Sequence, residues 1–296
     1  MTATTPAAFE AVETGEPSRL ANFLYFAKRN PTVMIGSTML LLIVAMAIFA
    51  PLVAPGDPLS LAPARRLRPP SAQYWFGTDM FGRDVYTRTI YGARISLIVG
   101  SFVAVISTLI GLTIGLISGY VRQVDAIVMR VMDGLMSIPG ILIAISMMAL
   151  SRASVRTVII AICIPEIPRV VRLVRGVVLT IREMPYIEAA KSIGTRFHWV
   201  LIKHILPNTF APLIVQATFI CASAVLTEAG LSFIGAGTPP NIPSWGNIMA
   251  EGRTFFQIAF WIILFPGLFL SVTVLAINLL GDGLRDALDP RLARRM

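Results

Sequence analysis

The chain has 296 residues, of which 55% are hydrophobic and only 14% charged, and its net charge is +9. A soluble domain carries about a quarter charged residues, so this composition excludes an ordinary water-soluble fold. The positive balance does not point to nucleic acid, because the Lys and Arg residues sit beside apolar runs, as they do when they anchor membrane spans.

Residues 1–18 contain no Lys or Arg but include Glu10, Glu13 and Glu16, and no apolar core of signal type follows. They are expected to stay in the cytoplasm, within a cytoplasmic segment 1–32 in which Leu20, Phe23, Leu24 and Tyr25 beside Lys28 and Arg29 predict a short interfacial helix. The remainder, 33–296, reads as one all-α transmembrane domain.

A helix needs about 20 apolar residues to cross a hydrocarbon core of ~30 Å, and six runs approach that length. The first covers 33–53 and leads into an outer loop, 56–93, stiffened by Pro58, Pro63, Pro69 and Pro70. A second covers 95–120. The third, 127–150, carries Pro139-Gly140 in its middle, a pair that kinks a helix. The fourth starts at 155, is interrupted by Pro165, Glu166 and Pro168, and is expected to leave the membrane near Arg172. Arg169, Arg172 and Arg175 share one helix face, from which they could snorkel toward lipid phosphates. Runs at 210–234 and 256–280 complete the six. An even number puts both ends on one side, and sixteen of the 25 Lys and Arg then fall in cytoplasmic segments. The outer loop weakens that bias with Arg65, Arg66, Arg68, Arg83, Arg88 and Arg94.

Several chemistries find no support. None of the lysines, Lys28, Lys191 and Lys203, follows a Gly, so no nucleotide-binding Gly-Lys-Ser/Thr exists. His198 and His204 lack Cys or carboxylate neighbours at metal spacing, and no Ser-His-Asp set is evident. Cys163 and Cys221 lie in apolar stretches and imply no disulfide framework.

Between the fourth and fifth runs, a loop at 177–208 contains a compact signal. Pro185 fits the first turn of a short helix and Gly194 the position just past its end. Ala189 and Ala190 offer a shallow surface for another protein, and Glu188 places a carboxylate near the positive helix end. This has the form of a docking element. Further out, Glu228 lies in the fifth run among Ala222, Ser223, Ala224, Ala229 and Gly230. An acid in hydrocarbon is costly, so it either braces this run against the 239–245 segment or lines a pore. Pro239, Pro240, Pro243 and Gly246 exclude regular helix there, leaving a rigid loop or a gate, with Trp245 at the membrane interface. Asp133, next to Arg130, reads as a solvated helix end.

Glu188-Ala189-Ala190, three residues, Gly194, and then Leu206-Pro207 twelve residues on resembles the cytoplasmic loop of ABC-importer permeases. His204 before Leu-Pro-Asn, Phe76-Gly-Thr-Asp79, Gly82-Arg-Asp-Val85, 91–97, Glu228 to Gly235 and Pro243-Ser-Trp-Gly246 are similar to the dipeptide and oligopeptide branch, in its second permease type. The resemblance implies a polytopic permease fold of about six spans in a bacterial inner membrane. Its ATPase-coupling residues would be Tyr186, Glu188, Ala189, Ala190, Gly194, Leu206 and Pro207, and its pore or gate residues Glu228, Pro243 and Trp245. It also implies a second permease subunit, two cytoplasmic ATPase subunits that bind ATP and Mg, an extracytoplasmic substrate-binding protein, and no cofactor on this chain. Cargo would be di- or oligopeptides, with nickel chelates, opines or glutathione as alternatives. A gradient-driven transporter and an intramembrane enzyme using Glu228 and Asp133 are the rival classes; the first would need no ATPase, and the second would be active as a lone chain.

Overall fold

The computed structural model describes residues 27–288; the interfacial helix expected around 20–25 lies outside them. Among the described residues every regular element is helical, apart from one isolated bridge between Thr78 and Asp84.

Helix α1 (Pro31–Ile48) starts with a proline in its first turn, where no N–H is needed, and continues past Phe49 as a short turn, Ala50–Val53. Helix α2 (Val85–Tyr120) runs for 36 residues, about 54 Å at ~1.5 Å per residue, so it outreaches the hydrocarbon core. It starts ten residues before the expected span because Asp84 caps it, accepting from the N–H groups of Tyr86 at 3.3 Å and Thr87 at 3.0 Å.

The third run is two helices, α3 (Arg122–Met136) and α4 (Gly140–Leu150), bent by 83°. The expected kink is thus a full break, since Pro139 has no N–H to continue the ladder. Helix α5 (Val155–Arg182) runs unbroken through Pro165 and Pro168 and ends ten residues beyond the expected exit. A short helix α6 (Pro185–Ser192), a π turn (Val200–Ile205), α7 (Leu206–Phe233), α8 (Trp245–Gly252) and α9 (Trp261–Leu288) complete the fold.

Among the described residues four helices, Pro31–Ile48, Val85–Tyr120, Phe197–Phe233 and Trp261–Leu288, are long and apolar enough to cross a membrane, and the bent α3–α4 pair makes five. The remaining element of the six-span reading, α5, has the length but carries Glu166, Arg169, Arg172 and Arg175.

The spine of the fold is the contact of α2 with α5. Gly111, Gly115 and Gly119 recur every four residues and therefore share one face of α2. A β-carbon on each would lie 2.4, 2.7 and 2.8 Å from the β-carbons of Val170, Val174 and Val178. Only bare backbone permits this approach, and dispersion along the groove supplies attraction that lipid cannot. The same valines belong to the largest core cluster, with Val99, Val158, Ile187, Val200 and Ile220.

Candidate functional site

The element expected to dock another protein folds as one helix, α6, with two unlike faces. Pro185 occupies the first turn of α6; Ile187 is fully buried and Ala190 is 7% exposed, so these two hold the helix to the body. Tyr186, Ala189 and Ile193 form the outward stripe, flanked by exposed Glu188. Of the two alanines, only Ala189 is on the outer surface; the 100° turn per residue carries Ala190 inward. Gly194 takes φ +80, and a β-carbon there would meet nothing within 4 Å, so the glycine serves conformation rather than space. Its N–H donates to Lys191 O at 3.0 Å and that of Thr195 to Ala190 O at 3.1 Å, the paired bonds that close a helix through a left-handed residue.

Leu206 and Pro207 open α7 directly after the π turn. Pro207 cannot donate to the carbonyl one turn back, which fits the widened ladder just before it. Asn208 Nδ2 donates to His204 O at 2.7 Å, and the His204 ring lies 6.4 Å from that of Tyr186. The two halves of the sequence motif thus meet across the π turn. The foot of α2 joins them, with the Tyr120 ring 4.8 Å from Phe197, Lys191 Nζ 5.4 Å from the Tyr120 centroid, and Arg182 donating to Gly119 O at 3.1 Å.

Near the C-terminal end of α7 and the start of α8, Glu228 and Trp245 are both fully buried. Glu228 accepts from Ser232 Oγ at 2.8 Å, Ser96 Oγ of α2 at 3.1 Å and Thr238 Oγ1 at 3.5 Å. Asn247 Nδ2 faces the carbonyls of Thr238, Pro239 and Ile242 at 3.0–3.3 Å, which fixes the proline loop, while Pro243 is half-buried. Trp245 Nε1 donates to Thr89 O at 3.0 Å, so it sits inside the subunit rather than at the membrane interface. A buried indole needs such an acceptor, and the end of α2 supplies it.

This arrangement predicts that Glu228→Gln keeps most of the stability of the purified complex, because the surrounding hydroxyls can turn to suit an amide. Glu228→Leu leaves Ser96 and Ser232 without their carboxylate acceptor and should cost roughly 1–3 kcal/mol. Thermal unfolding of the two variants side by side checks it; equal melting would remove the bracing role.

Beneath the outer loop lies a cluster that sequence reasoning missed. Asp79 accepts from the N–H groups of Phe81 and Arg83 at 2.8 and 2.9 Å, from Arg83 Nε at 2.6 Å and from Arg88 Nη1 at 2.6 Å. Glu251 of α8 pairs with Arg83 and also accepts from Arg88 at 2.6 and 3.1 Å. Arg94 reaches the last carbonyls of α1, donating to Ala47 O at 2.5 Å and Ile48 O at 2.8 Å. Arg83, Arg88 and Arg94 are therefore held by partners within the chain, as Arg65 is by Tyr74 Oη and Arg68 by Ala64 O.

The arginines of α5 also differ from expectation. Arg172 donates to Asp133 at 2.7 Å, and Arg175 holds both carboxylate oxygens of Asp125. They pair with α3 rather than snorkelling to lipid, because α3 brings carboxylates to the same face at a spacing of two turns. Asp133, expected to be a solvated helix end, is 59% exposed and bonds Arg172.

A family described as binding-protein-dependent transport system inner membrane component matches residues 107–294. A second, the N-terminal transmembrane domain of oligopeptide transport permease C, matches 18–70. The chain is 58% identical to a probable peptide ABC transporter permease protein of Sinorhizobium fredii, over 91% of this chain and 92% of that one. It is 43% identical to a dipeptide transport system permease protein of Alkalihalophilus pseudofirmus, over 90% and 88%, and 40% identical to a glutathione transport system permease protein of Pectobacterium atrosepticum, over 90% and 89%. The chain belongs to the binding-protein-dependent transport system inner membrane component family and is a permease subunit of an ABC transporter.

Proposed function

We propose that this chain forms half of the pore of a peptide importer in a bacterial inner membrane, with both termini cytoplasmic, and that α6 is where the ATPase presses. As an ABC permease it works in a complex with ATPase and substrate-binding partners, and ATP hydrolysis belongs to the ATPases. A second permease subunit and two ATPase subunits complete the assembly. Peptide cargo is supported by the relatives' names; glutathione, the cargo named for one of them, is itself a tripeptide.

The observation that carries this reading is the outward stripe Tyr186, Ala189 and Ile193 beside Glu188, on a helix fixed at both ends. A partner can lie flat on it. Displacement of α6 reaches Tyr120 at the foot of α2, and α2 is one continuous rod to the Asp79–Arg88–Glu251 cluster at the outer face. The pore then alternates its opening because nucleotide-bound and nucleotide-free ATPases grip α6 differently in the two states.

Glu188→Arg should leave the subunit in the membrane but reduce both ATPase co-purification and peptide uptake. Gly194→Val should do the same, since a residue other than Gly in the left-handed region costs roughly 1–2 kcal/mol and would unseat the helix end. Gly194→Asn should keep most of the coupling, because Asn tolerates that conformation. Normal coupling in both Glu188→Arg and Gly194→Val would remove α6 from the ATPase interface.

A further inference from the structure

One carboxylate among the described residues is buried and incompletely paired. Glu166 of α5 has its side chain only 6% exposed; its Oε1 accepts from Arg169 Nη1 at 2.8 Å and from Ser223 Oγ of α7 at 3.4 Å, and its Oε2 is buried with no partner. It is the only carboxylate oxygen among the buried unpaired polar atoms of the described residues. Arg169, by contrast, is 52% exposed.

Depth makes this arrangement informative. Glu166 lies about 17 Å along α5 from its Val155 end, and Ser223 about 15 Å along α7 from its Phe233 end, at ~1.5 Å per residue. Both ends are outer ends, so the cluster is close to the membrane midplane. An arginine facing lipid at that depth costs roughly 2.5–3.5 kcal/mol even on the lenient scale. The half-exposed Arg172–Asp133 pair continues the same side of α5 toward the cytoplasm. A row of charges half-open to the outside of the subunit is tolerable where it faces water, not hydrocarbon.

The chemistry of these groups selects a ligand. Arg169 gives one of its five N–H donors to Glu166 and has a planar fork left for a carboxylate. Glu166 Oε2 lacks a donor. A molecule carrying a carboxylate and an ammonium a few ångströms apart satisfies both at once when α5 and α7 part far enough to bare Oε2, which is sealed in this conformation. Glu228, buried among its three hydroxyl donors, offers no such vacancy.

We propose that Glu166, Arg169 and Ser223 form a midplane station on the cargo path, where Arg169 holds the free C-terminal carboxylate of a short peptide and Glu166 Oε2 its N-terminal ammonium. This rests on the peptide reading above.

The test uses the complete transporter in liposomes, with Ser223→Cys in a chain whose Cys163 and Cys221 are alanine. A negatively charged, membrane-impermeant methanethiosulfonate is applied from the ATPase side without nucleotide, so the binding protein plays no part. Cys at 223 should react, and millimolar alanyl-alanine should slow the reaction severalfold. Its C-terminal amide and its N-acetyl derivative should protect less, and Arg169→Gln should weaken protection by about tenfold or more, the loss of one strong charge-assisted bond. Arg169→Lys should restore part of it. A position 223 that stays unreactive in every nucleotide state, in a transporter that does take up dipeptides, overturns the station. So does equal protection by alanyl-alanine and its amide, or protection that persists in Arg169→Gln. If position 223 reacts but the wild-type transporter neither takes up nor is protected by any dipeptide, the peptide reading fails and this ligand assignment with it.

Discussion

Arg88→Met should prevent this subunit from accumulating as a folded membrane protein. Arg88 is fully buried and pairs with both Asp79 and Glu251, whose side chains are 1% and 18% exposed. Removing the cation leaves Arg83 to neutralise two carboxylates, and breaking a buried pair from one side costs roughly 3–5 kcal/mol. That is a large share of a total stability of about 5–15 kcal/mol. The loss would fall on three elements together, because Asp79 is in the outer loop, Arg88 in α2 and Glu251 in α8. Arg88→Lys should rescue little, since an ammonium cannot reproduce the fork that reaches two acids. Glu251→Gln should be milder, because Glu251 is partly solvated and Asp79 would keep both arginines. Folded yield and thermal unfolding in nanodiscs rank the three; an Arg88→Met protein that melts like the wild type would show that the cluster does not hold the outer face.

Gly115→Leu should be at least as damaging, by the opposite route. Nothing charged is lost, but a β-carbon alone would stand 2.7 Å from Val174 Cβ and 3.0 Å from Val171 O. Backbone oxygen cannot yield as a flexible side chain does, so α2 and α5 must separate. Overpacking of one or two methylenes typically costs 1–3 kcal/mol, and a whole leucine in the middle of a three-glycine groove should exceed about 3 kcal/mol. Gly115→Ala should fall between. By contrast, Gly176→Ala on α5, where a β-carbon would meet nothing within 4 Å, should be neutral or slightly stabilising. Melting temperatures of the three variants test the contrast; a Leu variant that melts like the Gly176→Ala protein would mean the α2–α5 contact opens without penalty.

These two sites and the docking helix lie along one rod. Arg88 stands near the N-terminal end of α2, Gly115 in its C-terminal third, and Tyr120 at its last residue against Phe197 and Lys191. A defect at any of the three should therefore be felt at the others, although each acts through a different physical term.

What the sequence determines by itself is whatever depends on neighbours along the chain. Apolar run length marked five of the six expected spans, and Pro185 and Gly194 marked where a helix starts and stops, because these are backbone properties of single residues; Pro139-Gly140 marked a kink that the structure makes a full break. Family membership was legible for the same reason: Glu188-Ala-Ala to Pro207 is a contiguous signal. The Gly111-Gly115-Gly119 spacing was also present in the sequence, but only tertiary structure names Val170, Val174 and Val178 as the surface it fits. Charges were the least legible. Arg88 finds Glu251 across 163 residues, Arg172 finds Asp133 across 39, and Ala190 turns inward although its neighbour Ala189 turns out. An ionised side chain near or within a membrane must be paired or wet, but which of the two, and with which partner, is set by how helices cross, and no local pattern records that crossing.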